Sequence, residues 1–320
     1  MDSIFDCIVV GGGAAGLSAA LVLGRARRAT LLVDAGRQSN LPAHGIGGLL
    51  GHDGRPPAEL YALGREELAT YPSVTVRDGE VVAGAHDGEG FALTLADGTV
   101  ARARRVVLAT GMDYRFPDLE GAAERWGETV FHCPFCHGWE VQGQPLGVLD
   151  DGPSGVHRAL LLSMWSDDVT LLTNGPTQLT DDERAQLDHA GVAVDEREVA
   201  RLTGAAPRLD GVAFADGSAR PLGGLLVPIA LHQRSALADQ LGATPADGNP
   251  LAPAPVAVDA VQRTAAEGIV AAGDVTADMP SVSNAVAAGM RAAAAVVQSL
   301  AAERGSTPVA VVAGAAPSEA

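Results

Sequence analysis

Lysine is absent from this chain: all 22 basic residues among its 320 are arginine. That removes a Walker-A lysine, a Schiff-base lysine and a lysine general base at once. Cysteine is scarce, with three residues, which does not suit a secreted disulfide framework. The first residues lack basic charge, with Asp2 and Asp6 standing there, so the basic-then-apolar layout of a signal peptide is not seen. Nor does any apolar run reach about 18 residues without Gly breaks or polar interruptions, and no transmembrane helix is expected. Net charge is −17 and pI about 4.7, a balance that repels phosphate backbones and anionic lipid, so neither nucleic acid nor membrane is expected as a partner. A cytoplasmic protein is the expectation. With 47% hydrophobic residues the chain can build one large or two medium cores.

Periodicity and turn residues predict two βαβ patterns. The first has a strand at Phe5–Val10, a helix at Leu17–Arg28 and a strand at Ala29–Val33 closing on Asp34. Strand-like segments follow at Val74–Val76, Glu80–Ala83, Phe91–Leu95 and Thr99–Ala103, the last two joined by Asp97-Gly98, and then an apolar run, Val106–Ala109. The second pattern has a strand at Leu146–Leu149, a helix near Val156–Trp165 and a strand at Val169–Leu172. Strands near Val192–Val194 and Gly211–Phe214, a buried strand Leu225–Ala230, a Pro- and Gly-rich loop over 243–256, a strand Gly268–Ala272 and a helix Ser281–Ala302 complete the outline. From Gly305 the composition predicts a disordered tail. The expected fold class is α/β, with two Rossmann-like dinucleotide-binding domains of three-layer ββα form, the second inserted in the first. The boundaries read 1–116 and 241–304 for the first, 117–240 for the insert and 305–320 for the tail.

The first βαβ unit carries a G-x-G-x-x-G in full context. Gly11 allows the tight turn, Gly13 lets backbone approach a pyrophosphate, and Gly16 lets the helix pack closely on the sheet. Ala14 and Ala15 open the helix, whose unpaired N–H groups favour phosphate. Asp34 ends the second strand, where a carboxylate accepts from ribose hydroxyls. A ligand-free Gly-rich turn would not need all of these together. Two distant motifs, Ala109-Thr110-Gly111 and Ala272-Gly273-Asp274, each follow an apolar strand. They resemble the paired motifs of two-dinucleotide-domain flavoproteins. That resemblance implies FAD as cofactor and Asp274 bonded to its ribityl or phosphate region.

At the centre stands Phe131-His132-Cys133-Pro134-Phe135-Cys136-His137-Gly138-Trp139. Two residues between cysteines let both sulfurs meet at one helix start, where dipole and neighbouring histidine lower a thiol pKa. Thiolate, not thiol, attacks a disulfide or a flavin. A zinc site is the alternative, with His132 and His137 as further ligands, but positions so close on one short loop rarely converge on a tetrahedral centre. No metal is expected. Cys7, inside an apolar strand, reads as plain core.

The FAD-type G-x-G-x-x-G, the A-T-G, the C-x-x-C in a second module and the A-G-D together resemble the low-molecular-weight thioredoxin reductases, over residues 3–302. The resemblance implies that Cys136 lies against the flavin and Cys133 exchanges with substrate. Thioredoxin reductases have an acid after the second cysteine; here His137 stands there, a residue type better placed for acid–base work near pH 7. The chain departs from that family where NADPH should bind. Asp150-Asp151-Gly152-Pro153-Ser154-Gly155 puts Asp150 in place of the first glycine, beside Asp151, and Pro153 removes a donor. Like charges about 4 Å apart cost about 4 kcal/mol at an effective dielectric near 20. The arginine wanted for a 2′-phosphate is replaced by Thr173-Asn174-Gly175-Pro176. With C-P-F-C-H-G-W and a degraded NADPH site, the chain resembles the homodimeric dithiol oxidases of holomycin, gliotoxin and romidepsin biosynthesis. These imply a small-molecule dithiol as substrate and O₂ as acceptor. Catalytic candidates are therefore Cys133, Cys136, His137 and His132. A reductase of thioredoxin or a small disulfide, fed by NADPH or another donor, is the alternative, and a redox sensor is a third reading. His44 and His52 read as polar loop; His86, His157 and His189 as surface; His232 has no assigned role; Trp126 and Trp139 read as packing rather than as a substrate slot.

Overall fold

The computed structural model describes residues 4–88, 90–151 and 154–305. In chain order the first unit runs β1 (Phe5–Val10), α1 (Ala14–Arg25), β2 (Thr30–Asp34), α2 (Pro57–Ala69), β3 (Val74–Asp78), β4 (Val81–Asp87), β5 (Gly90–Leu95) and β6 (Val100–Leu108). A short strand, β7 (Met112–Arg115), leads out of it. The insert follows as β8 (Val130–Phe131), α3 (Pro134–His137), β9 (Leu146–Leu149), α4 (Ser154–Leu162), β10 (Val169–Leu172), α5 (Asp181–His189), β11 (Ala193–Asp195), β12 (Val199–Thr203), β13 (Gly211–Phe214), β14 (Ala219–Pro221) and β15 (Gly224–Leu226). The chain returns through β16 (Ala230–Gln233) and α6 (Leu237–Gln240) to β17 (Ile269–Ala271) and α7 (Val282–Gly305).

Each unit is three layers around a parallel sheet. In the first, β3-β2-β1-β6 run parallel, β17 continues them against the C-terminal half of β6, and β5-β4 add an antiparallel ribbon to its N-terminal half. Alternation along β1 explains the layering. Cys7 and Val9 face the helices α1 and α7, while Ile8 and Val10 face Phe91, Leu93 and Leu237 on the other side. The insert repeats this with β11-β10-β9-β15-β8 all parallel. Its α4 and α5 cover one face and β12-β13-β14 the other.

Helices α1 and α7 pack through small residues. A Cβ on Gly289 would overlap the Ala15 carbonyl, and Ala19, Ala288 and Ala292 are buried beside it. Helix α7 is long and apolar enough to cross a membrane by length and composition alone, yet its alanine face is the core of this unit. The two crossings between units, β7 and β16, pair with each other antiparallel, Tyr114 opposite Leu231.

Several expected elements differ in detail. Helix α1 begins at Ala14, inside the glycine loop, and ends at Arg25; Arg27 turns left-handed at φ 60°. The run Leu225–Ala230, expected as one strand, is two in different sheets, interrupted where Pro228 lacks a ladder donor. Leu237, Ala238 and Leu241 pack with Ile8 and Val81, so residues 237–240, expected in the insert, belong to the first unit's core. Gly305 closes α7 rather than opening a tail, and the rest of the expected tail, 306–320, lies outside the described residues.

Candidate active site

One cavity joins the glycine loop to the redox loop. Gly11, Gly13, Ala14, Ala15, Asp34, Ala109, Thr110, Gly111, Gly273 and Asp274 line it. So do Cys136, His132 and His137 at its far end. Gly16 lies beneath: a Cβ there would overlap the Gly11 carbonyl, so helix and turn could not close. At Gly11, φ is 111° and a Cβ would overlap the Ala109 carbonyl. Gly13 caps α1 without any side-chain bond, and a Cβ on it would meet only Gln38 Cγ at 3.6 Å. The first-turn amides of α1 are thus open to the cavity, which suits a pyrophosphate.

Asp34 is buried and already engaged. Its carboxylate accepts from Gly12 N at 3.2 Å, Gly36 N at 2.9 Å and Gln38 Nε2 at 3.1 Å, and pairs with Arg65 at 2.7 Å. At the other wall, Asp274 accepts from the Tyr114 hydroxyl at 2.8 Å. Burial raises the Asp274 pKa, while Tyr114 and Arg234 pull it down. Burial and the Asp274 charge likewise push the Tyr114 phenol well up. A half-buried carboxylate with one such donor retains acceptor capacity for ligand hydroxyls. Arg234 fixes the ribbon by donating to Asp113 at 2.8 Å and to the Met112 carbonyl at 3.0 Å.

Cys133 and Cys136 form a disulfide, with Cα atoms 5.3 Å apart. Cys133 caps α3 in extended conformation, Pro134 starts the turn, and Cys136 N donates to the Cys133 carbonyl at 3.2 Å. Of the two, Cys136 lines the cavity and Cys133 does not. The redox loop is held against the first unit by two backbone approaches. A Cβ on Gly47 would sit 2.5 Å from the Cys136 carbonyl oxygen; one on Gly127 would sit 3.0 Å from Ala43 N.

His132 belongs to an aromatic ladder. Its ring lies 5.7 Å from Trp126, stacked, and 5.3 Å from Tyr114, tilted; Trp126 in turn stacks on Phe116 at 4.4 Å. Burial lowers the His132 pKa to about 4, with His137 and Arg158 adding to it. His137 stacks on Phe131 at 5.7 Å and neither ring nitrogen has a hydrogen-bond partner. Burial lowers its pKa, opposed by the Glu140 charge and by Gly127 and Cys133 backbone groups that approach the ring without meeting hydrogen-bond geometry.

Tyr114, Trp126 and Arg234 were not among the expected site residues, yet all three line the cavity. Their signal was positional: Tyr114 follows the A-T-G, Trp126 precedes the C-x-x-C strand, and Arg234 follows the return strand. Trp139, expected to pack, is 71% exposed. His44 is exposed, and His52 accepts from Arg55 at 3.0 Å; neither lines the cavity. Cys7 is buried and its thiol pKa is raised by that burial, as a core cysteine requires.

In the insert, Asp150 follows β9 as Gly11 follows β1, and its carbonyl lies under Gly155 as that of Gly11 lies under Gly16. The Asp150 side chain is buried and ion-paired to Arg158 on α4. The carboxylate expected to repel a pyrophosphate is thus paired with a half-buried guanidinium. Asn174 has φ 54° and its side-chain oxygen accepts from Val199 N at 2.7 Å, a turn-forming role. The expected roles of Gly152 and Pro153 lie outside the described residues.

A disulfide forming one wall of a dinucleotide cavity, in a chain of two nested Rossmann-like units, is the working arrangement of a flavin-linked disulfide oxidoreductase. The chain belongs to the pyridine nucleotide-disulphide oxidoreductase family, which it matches over residues 5–289, and it is a flavoprotein enzyme of the thioredoxin reductase type. It is 31% identical to thioredoxin reductase tcpT of Claviceps purpurea over 299 residues, covering 90% of this chain and 92% of that one. Among solved structures it resembles an oxidoreductase from Agrobacterium tumefaciens, with TM-score 0.88, 37% identity and coverage of 93% and 99%. The crystal structure of HlmI matches with TM-score 0.88 and 38% identity, covering 95% of each chain.

Proposed function

We propose that this protein is an FAD-dependent dithiol oxidase that closes an intramolecular disulfide in a small natural product, in the manner of the holomycin-type enzymes. The observation that carries the reading is the disulfide on the cavity wall, coupled with an ion-paired Asp150 where the second unit's first loop glycine should stand. Likeness to tcpT and HlmI supports it. Gly11, Gly13, Ala14 and Ala15 would hold the pyrophosphate and Asp274 the ribityl side. When bound, the flavin takes two electrons from the reduced cysteine pair and passes them to O₂, giving H₂O₂.

The protein's own steps are thiol–disulfide exchange. A substrate thiolate attacks Cys133 Sγ, the Cys133–Cys136 bond breaks, and Cys136 leaves as thiolate. The second substrate thiol attacks the substrate sulfur now bound to Cys133. The cyclic disulfide departs, and both cysteines are reduced. Two substrate protons must be taken up. His137, neutral and with unpartnered nitrogens beside Cys136, is suited to hold one. His132, with its pKa near 4, is the poorer base and acts by stacking. A homodimer in the cytoplasm is part of this reading.

The test is turnover of dithiothreitol in air, followed by an oxygen electrode and a peroxide assay. The expected result is one O₂ consumed and one H₂O₂ formed per dithiol oxidised. Cys136→Ser should bind flavin and lose all dithiol-driven flavin reduction; retained turnover would sink the scheme.

A further inference from the structure

Aromatic residues make up only 4% of the chain, and nearly all of them are buried or half-buried. Among the described residues, the two exposed aromatics are Phe135 and Trp139, each 71% exposed. Both stand on the redox loop. Phe135 lies between the two cysteines, and Trp139 follows Cys136 by three residues, one helical turn on from Phe135. They are anchored rather than loose. Trp165 lies edge-on to Phe135 at 5.5 Å, and a Cβ on Gly138 would meet its ring at 3.0 Å, so the indole supports the turn from below. Exposed aromatics cost solubility unless something covers them.

Position identifies what covers them. Cys136 lines the flavin cavity and Cys133, half-buried, does not, which leaves Cys133 as the sulfur to meet substrate. The neighbouring charge is Glu140, exposed, in a chain of net charge −17, which disfavours an anionic thiol such as glutathione. We infer that Phe135 and Trp139 form a substrate-selecting rim on the outer side of the disulfide, which takes the apolar, ring-bearing body of a neutral dithiol. The rim lets the enzyme rank dithiols by their scaffold, because their reacting sulfurs alone are nearly equivalent. This rests on the dithiol oxidase reading and deepens it.

The experiment compares two dithiols that each close a six-membered ring, dithiothreitol and 1,2-benzenedimethanethiol, on the flavin-loaded enzyme in air. The native protein should prefer the aromatic dithiol in kcat/KM. Phe135→Ala and Trp139→Ala should each cut that preference roughly tenfold, through KM for the aromatic dithiol. Trp139→Phe should recover most of it. An unchanged ratio, or a loss shared equally by both dithiols, overturns the inference. A change in oligomeric state on Trp139→Ala with the ratio unchanged also overturns it, assigning the rim to a second copy. If the native enzyme oxidises neither dithiol, the oxidase reading itself falls, and the rim's role falls with it.

Discussion

At the scale of single residues, the site is built from groups whose protonation is set by burial. His132 is the clearest case, its pKa lowered to about 4 from 6.5 by desolvation. The unfolded chain therefore binds a proton between pH 6.5 and 4 that the folded chain refuses, so stability rises with pH across that window. The contribution is fully present above pH 6.5 and is lost as pH falls towards 4, at a cost of about 3 kcal/mol in all. His132→Phe keeps a ring between Trp126 and Tyr114 and removes the proton site. Urea midpoints at pH 7.5 and pH 5 should converge in the variant and differ in the native protein; an equal acid drop in both would contradict the assignment. Asp34 shows the limit of motif reading. The spacing marked it for a ribose, but its carboxylate is also tied to Arg65, a partner 31 residues away that no local pattern announces.

Among the elements, close backbone approaches decide how the redox loop meets the cavity. Gly47→Ala puts a methyl group 2.5 Å from the Cys136 carbonyl oxygen, and backbone cannot yield as a flexible side chain can. Flavin content should survive, since the phosphate cradle at Gly11–Ala15 is untouched, while stopped-flow reduction by dithiol should slow by roughly tenfold or more. Unchanged reduction would show that the contact does not position the disulfide. The same elements show what was legible in the chain. The two βαβ units, the glycine loop and the C-x-x-C were readable because each is a local pattern with a fixed period or spacing. Helix α2 was missed although Pro57 stands at its start, because its buried face is only Pro57, Tyr61 and Leu68 and gives a weak apolar stripe. Helix α5 was missed although Thr180 and Glu183 form a capping box, because nearly all of its residues are polar. The aromatic ladder through His132 joins residues from three separate segments, so only the folded chain brings it together.

On the scale of the whole molecule, the two nested units have the same three layers and different fates. The first keeps Gly11 at the turn and an open helix start. In the second, Asp150 takes the corresponding place and is locked to Arg158, on the unit that carries the disulfide. In the proposed reading the insert serves to present Cys133 and Cys136 to the cavity and not to deliver hydride. On that proposal, electrons enter as substrate thiols at one side of the disulfide and leave through the flavin at the other. The most direct measurement is anaerobic flavin absorbance after mixing the flavin-loaded protein with NADPH and, separately, with a dithiol. The account predicts that the dithiol bleaches the flavin, NADPH leaves it yellow, and air restores the colour. Rapid bleaching by NADPH would contradict it and make the protein a disulfide reductase.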